Sequence, residues 1–233
     1  MIEALPIVLV PGLGCSARLY GEQIPYLWRF GPVTIADHTR DDSMAAIARR
    51  ILAAAPHRFA LAGLSMGGYI ALEITRHAPE RVAKLALLDT GARAEAPEQT
   101  KRRKVAIELA ENGRYAEVVD VVFPLYVHRK RHNDAALKQI VRDMVEDTGA
   151  EAFLRQQHAI IHRQDARPGL GAIKCPTLVL VGEDDQATPL ELSREISAGI
   201  AGSRLTIIPE SGHLSTLEQP DRVTAALIDW MNL

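Results

Sequence analysis

The stretch Phe59-Ala60-Leu61-Ala62-Gly63-Leu64-Ser65-Met66-Gly67-Gly68 decides how this chain is read. A short apolar run, 59–62, leads into Gly63, and an amphipathic run, 66–77, leaves from Met66. A buried strand therefore turns straight into a helix, with a serine at the turn. So tight a turn strains the serine backbone and leaves no room for side chains two residues to either side. Gly63 and Gly67 meet that demand, and Gly68 lets the helix lie close to the strand. The turn lifts the Ser65 hydroxyl above the strand ends and points the Met66 amide at the same space, near the positive end of the helix.

Outward from this turn, short apolar runs alternate with helical patterns. Strands are expected at 6–10, 33–36, 59–62, 85–89, 177–181 and 205–208. Each is apolar on both faces, as in a parallel sheet buried between two helical layers. Helices are expected at 43–55, opened by Ser43, and at 66–77, 189–201 and 220–231, with Pro189 in a first helical turn. The stretch 92–170 breaks the alternation with four helical patterns, 98–111, 115–124, 134–146 and 150–162, punctuated by Asn112-Gly113 and Thr148-Gly149. The expected fold class is α/β, a mostly parallel sheet of about six strands flanked by helices. Residues 1–91 and 171–233 form the core, and 92–170 form a helical cap, or lid, inserted above the sheet.

With 233 residues, 47% hydrophobic and 24% charged, the chain suits one large domain or one domain with an insertion. A net charge of −2 gives no reason to expect nucleic acid or an anionic membrane as a partner. The basic runs 101–104 and 128–132 are read as solvated helix faces. The first apolar run, from Ile7 to Val10, ends at Pro11 with no basic stretch before it, so no signal peptide is expected and the cytoplasm is the expected location. Cys15 and Cys175 are placed at opposite ends of neighbouring strands, out of reach of each other. No zinc-binding spacing is present.

Three further segments supply chemistry. Ile7-Val8-Leu9-Val10-Pro11-Gly12-Leu13-Gly14 ends a buried strand in a glycine turn that can offer the Leu13 amide to a developing oxyanion, with Met66 as second donor. No GxGxxG and no Walker lysine favour phosphate instead. Pro209-Glu210-Ser211-Gly212-His213-Leu214 places His213 on a loop after the last strand, where Ser65 emerges; the other seven histidines lie at a helix end, in the insertion or in polar loops. Val181-Gly182-Glu183-Asp184-Asp185 puts Asp185 on the loop after the fifth strand, suited to orient that histidine. Asp184 and Glu183 compete locally, and Asp89, ending the fourth strand at the same edge, is the alternative acid.

In the order Ser65, Asp185, His213, these residues resemble the α/β-hydrolase superfamily, in particular compact bacterial esterases and enol-lactone hydrolases. The resemblance runs from Pro11-Gly12 through the Ser65 turn to Gly182, Pro189, Gly212-His213 and Glu218-Gln219-Pro220. Pro11-Gly12 stands where many relatives have His-Gly, and a smaller sheet is expected because relatives often carry two more N-terminal strands. The resemblance implies a serine hydrolase that cleaves a carboxylic ester or lactone through an acyl-enzyme, with no metal or organic cofactor. Its expected partner is a small-molecule ester or lactone, and its expected assembly a monomer or homodimer. Alternatives with the same framework are a carbon–carbon bond hydrolase of diketones, a perhydrolase, and a non-catalytic ligand receptor. A cysteine nucleophile is disfavoured because Cys15 is not on a strand–helix turn. Trp28, Tyr126 and Phe153 are candidates to line the pocket, though each is read first as core.

Overall fold

A computed structural model describes residues 4–233. The strands are β1 (Ile7–Val10), β2 (Val33–Ile35), β3 (Phe59–Leu64), β4 (Val82–Leu88), β5 (Thr177–Gly182) and β6 (Arg204–Ile208). They form one six-stranded sheet in the order β2-β1-β3-β4-β5-β6, parallel at every pairing. The chain steps from β1 outward to β2, then returns to the other side of β1 to lay down β3. Strand order therefore reverses between β1 and β3, and the crevice beyond their carboxyl ends is where such sheets bind ligands. Val10 pairs with Gly63, so the glycine turn after β1 and the Ser65 turn after β3 leave the sheet side by side.

The helices are α1 (Ile24–Leu27), α2 (Met44–Ala54), α3 (Met66–His77), α4 (Pro97–Glu111), α5 (Val118–Tyr126), α6 (Ala135–Thr148), α7 (Ala150–Ile161), α8 (Leu190–Gly199), α9 (Ser215–Glu218) and α10 (Pro220–Met231). Their ends follow local chemistry. Ser43 and Asp134 accept the amides of Ala46 and Leu137 to cap α2 and α6, Pro97 opens α4, and Gly149 at φ 77° separates α6 from α7. Pro189 is the residue before α8 rather than in its first turn, because its ψ of 153° is extended. The run expected at 115–124 divides into a short 3₁₀ turn, Tyr115–Glu117, and α5. The short helices α1 and α9 have too few turns to show a periodic pattern in sequence.

Alternate residues of each inner strand feed two cores. Ile7 and Leu9 join Leu27, Leu227 and Trp230 on one face; Val8 and Val10 join Ile47, Ile70 and Ile196 on the other. All of these side chains are fully or almost fully buried, each contributing about 1.5–3 kcal/mol relative to exposure. Helices α5 and α6 extend the first core with Val119, Phe123, Val141 and Met144, and α4 and α7 pack a smaller cluster around Ala106, Ala110 and Phe153. Glu95 is buried between two guanidinium groups, bonded to Arg103 at 2.6 Å and to Arg163, whose charge also lies over the Tyr69 ring at 4.4 Å. The basic run at 101–104 is thus only partly solvated, since Arg103 is drawn inward to Glu95 and to Gln157. Cys15 follows β1 and Cys175 precedes β5; β3 and β4 lie between those strands, so the cysteines are not on neighbouring strands, and both are free.

Backbone packs tightly against backbone at the Ser65 turn. A Cβ on Gly67 would overlap the carbonyl of Val10, and one on Gly63 would overlap the carbonyl of Gly67. Both obstacles are backbone and cannot swing away. Gly67→Ala is therefore expected to cost about 3 kcal/mol, the upper end for overpacking, and to lower the midpoint of thermal unfolding by roughly 6–12 °C for a chain of this size. A melt within 1–2 °C of wild type (roughly the shift for half a kcal/mol) would contradict this packing.

Candidate active site

Ser65 sits at φ 56°, ψ −115°, a conformation that costs a non-glycine residue about 1–3 kcal/mol. Its backbone is held there from both ends: its amide donates to the Leu88 carbonyl at 2.9 Å, and its carbonyl accepts from the Thr90 hydroxyl at 2.7 Å. The side chain is directed away from the α3 backbone, with no capping hydrogen bond, and its Oγ lies 2.8 Å from His213 Nε2.

His213 is buried. Its Nδ1 lies 2.8 Å from Asp185 Oδ2. An ionised carboxylate only accepts, so Nδ1 carries the proton and Nε2 presents its lone pair to Ser65. Asp185 is itself fixed: Oδ1 accepts the amides of Ala187 and Thr188 at 2.8 and 2.9 Å, and Oδ2 accepts the Thr188 hydroxyl at 2.7 Å. Burial pushes the imidazole pKa down, but the charge and hydrogen bond of Asp185 chiefly outweigh it and raise His213 above its ordinary value of 6.5.

Asp89 occupies a different position. It follows β4 at φ 43°, fully buried, and accepts the amide of Gly182 at 2.8 Å and the hydroxyl of Ser215. Burial, then repulsion from Asp185, drives its carboxyl well above the usual range. It ties the end of β5 to the start of α9 and leaves the hydrogen bond to His213 Nδ1 to Asp185. Asp184 is half-exposed on the rim, facing His128 at 3.3 Å.

The turn after β1 lies against this chain of hydrogen bonds. A Cβ on Gly12 would be 3.4 Å from Ser65 Cβ. Neither the Leu13 nor the Met66 amide donates to a backbone carbonyl of the described residues. Cys15 is buried here, its thiol pushed up to about 12 by that burial, and so stays protonated. Among the candidate pocket residues, Tyr126 packs its ring on the His213 ring with centroids 5.0 Å apart. Phe153 is buried against Tyr115, at 5.0 Å, and against Gly14. Trp28 is 62% exposed and takes no part. A cavity of about 270 Å³ lies behind α3, walled by Tyr69, Leu72, Ala92 and Ile173 and by charged side chains such as Glu73 and Arg163, and none of Ser65, Asp185 or His213 lines it.

Some contributors escaped sequence reading. Glu218 accepts the amides of Gly212 at 2.8 Å and His128 at 2.6 Å, and the Tyr126 carbonyl accepts the amide of His213 at 2.8 Å. The histidine loop is thus tied to the C-terminal end of α5. His38, read as lying in a polar loop, and His128, read as part of a solvated helix face in the insertion, are both buried. The His38 side chain meets the Gly12 carbonyl 26 positions away, and the His128 ring both accepts the Lys130 amide and faces Asp184 across the fold, contacts that no local pattern announces. Among the described residues no group of His, Cys, Asp and Glu is placed to hold a metal ion, and no helix is long and apolar enough to cross a membrane.

Comparison with known proteins agrees with this architecture. The chain is 24% identical to a pimeloyl-[acyl-carrier protein] methyl ester esterase of Neisseria meningitidis, over 97% of this chain and 92% of that protein. It superposes with TM-score 0.87 on a thermophilic esterase from Thermogutta terrifontis, at 29% identity, covering 98% of this chain and 89% of that one. It superposes equally well, TM-score 0.87, on the enol-lactonase from Burkholderia xenovorans, at 24% identity and covering 99% and 92%. The alpha/beta hydrolase family matches residues 7–226, nearly the whole chain. This chain belongs to the alpha/beta hydrolase family.

Proposed function

We propose that this chain is a carboxylic ester hydrolase, a carboxylesterase or lactonase, that works through an acyl-enzyme on Ser65. The observation that carries the reading is the unbroken series Ser65 Oγ to His213 Nε2 to Asp185, 2.8 Å at each step. The esterases and the lactonase among the similar proteins support the same class.

In the first half-reaction Ser65 Oγ bonds to the ester carbonyl carbon while its proton passes to His213 Nε2. The carbonyl oxygen becomes an oxyanion and accepts from Leu13 and Met66, donors of a kind whose loss typically costs about 10²–10³ in turnover. Asp185 holds the imidazole tautomer and stabilises the imidazolium. Collapse breaks the carbon–oxygen bond, and His213 gives its proton to the leaving alcohol. For a lactone, that alcohol is the other end of the same molecule. Water then attacks the acyl-enzyme, its proton passing through Nε2 back to Ser65, and the acid leaves. Residues 92–170 act as the cap over this site, since the helices they contain touch both the histidine loop and the turn after β1.

Two measurements test the reading. Ser65→Ala is expected to lower hydrolysis of short-chain p-nitrophenyl esters by roughly 10³-fold or more with an unchanged melt; activity within tenfold of wild type would remove Ser65 from the mechanism (roughly the factor that 1.4 kcal/mol makes). Acid and alcohol in equal amounts mark ester cleavage, whereas carbon–carbon cleavage releases no alcohol. The second measurement is the pH profile. The base acts when neutral, and His213 is held above 6.5, so kcat/KM should fall as pH drops through a midpoint above 6.5. Asp185→Asn removes the chief charge that raises it and should move that midpoint downward. A rate flat from about pH 5 to 8, the span over which an ordinary histidine titrates, would contradict the assignment of His213.

A further inference from the structure

The Leu13 amide can serve as an oxyanion donor only if its direction is set before substrate arrives. A glycine-flanked turn does not set it unaided, since Gly14, at φ 63°, is in the left-handed region open to glycine. Two side chains from outside the turn supply the missing restraint. His38, 3% exposed and just past β2, places Nε2 2.9 Å from the Gly12 carbonyl oxygen. That oxygen can only accept, so Nε2 carries the hydrogen. Burial holds the ring below the ordinary histidine range, in keeping with a neutral donor. Gln156, fully buried on α7, accepts the Gly14 amide through Oε1 at 3.0 Å, and its Nε2 reaches the His38 carbonyl at 3.5 Å.

Peptide planarity turns these two bonds into an aiming device. The Gly12 carbonyl and the Leu13 N–H belong to one rigid plane and point in opposite directions. Anchoring the carbonyl to His38 therefore fixes where the Leu13 N–H points. The Leu13 carbonyl and the Gly14 N–H form the next plane, and Gln156 anchors that one. With both planes held, the two soft dihedrals of Leu13 are set. The Cys15 amide, 3.1 Å from the Gly12 carbonyl, closes the turn from within.

We propose that His38 and Gln156 are positioning residues that hold the Gly12–Gly14 turn so that the Leu13 amide faces the oxyanion. The inference rests on the acyl-enzyme reading of Ser65. It also gives α7, and through it the 92–170 insertion, a direct hold on a donor in the catalytic step: displacement of α7 from the core breaks the Gln156 bond and frees the second plane. Neither residue touches substrate in this account. Their loss should be felt in the transition state, where the oxyanion is fully charged, and hardly in ground-state binding.

The test compares wild type with Gln156→Met, which keeps the length and bulk of the side chain but has no oxygen acceptor, and with His38→Phe. Each is assayed for p-nitrophenyl ester hydrolysis and for inhibition by an aliphatic trifluoromethyl ketone. That ketone takes a bond from Ser65 Oγ to its carbonyl carbon; the serine proton goes to His213 and the ketone oxygen becomes an oxyanion in the same donor site. Each variant should lose about 10–100-fold in kcat, the scale of a misplacement of about 1 Å, with KM within about twofold, since uniform binding is untouched. The inhibition constant should rise by the same factor as KM/kcat. A purely structural role would lower the melt and leave kcat per folded molecule, and the inhibition constant, unchanged; that result in either variant overturns the proposal. Ser65→Ala is measured alongside. If it stays active the acyl-enzyme reading fails, whereas Ser65-dependent turnover with unaltered kcat in Gln156→Met refutes the positioning role alone.

Discussion

The carbonyl of Val10 rests against the Cα of Gly67 so closely that no side chain fits between them. That contact joins the first strand to the helix behind Ser65, and much of the site follows from it. Because β1 and β3 are adjacent, with Val10 opposite Gly63, their two turns emerge together, and the Leu13 amide arrives beside the serine. The strained backbone of Ser65 is affordable only because Leu88 and Thr90 hold it from β4 and the loop that follows. Strain at one residue is thus offset by hydrogen bonds from elements already locked in a buried parallel sheet.

The sheet gathers the remaining chemistry at one edge. Being parallel throughout, it sends every strand's carboxyl end the same way, so residues far apart in sequence, such as Asp185 after β5 and His213 after β6, meet Ser65 after β3. Electrostatics then separates the two carboxylates that reach this edge. Asp185 keeps three hydrogen-bond donors besides His213, which suit a charge. Asp89 is fully buried and driven toward its neutral form, with a structural task between Gly182 and Ser215. The helices of the 92–170 segment do not stand apart from this framework. Through the Tyr126 carbonyl, the His128 amide and Gln156 they bond to the histidine loop and to the turn after β1.

What could be read in the sequence had a short-range physical signature. The Ser65 turn is dictated by glycines within two residues, the strands by runs apolar on both faces, and the helix starts by Ser43 and Asp134. The positions of Ser65, Asp185 and His213 followed from the rule that functional loops lie at one end of a parallel sheet. What could not be read depends on long-range placement. The bond from Gly14 to Gln156 spans 142 positions and that from His38 to Gly12 spans 26, and glutamine is of a type that is usually solvated. The separation of the cysteine-bearing strands required the strand order, which no local pattern encodes. The inward turn of Arg103 required Glu95 to be buried first.

The central claim is that Ser65, activated by His213, is the group that becomes acylated. Incubation with a fluorophosphonate, followed by intact mass and peptide mapping, tests it without any assumption about the natural substrate. One adduct per chain, located on Ser65 and lost when the protein is unfolded before labelling, is the predicted result. A folded protein that takes up no label, or carries it on another residue, would contradict the account.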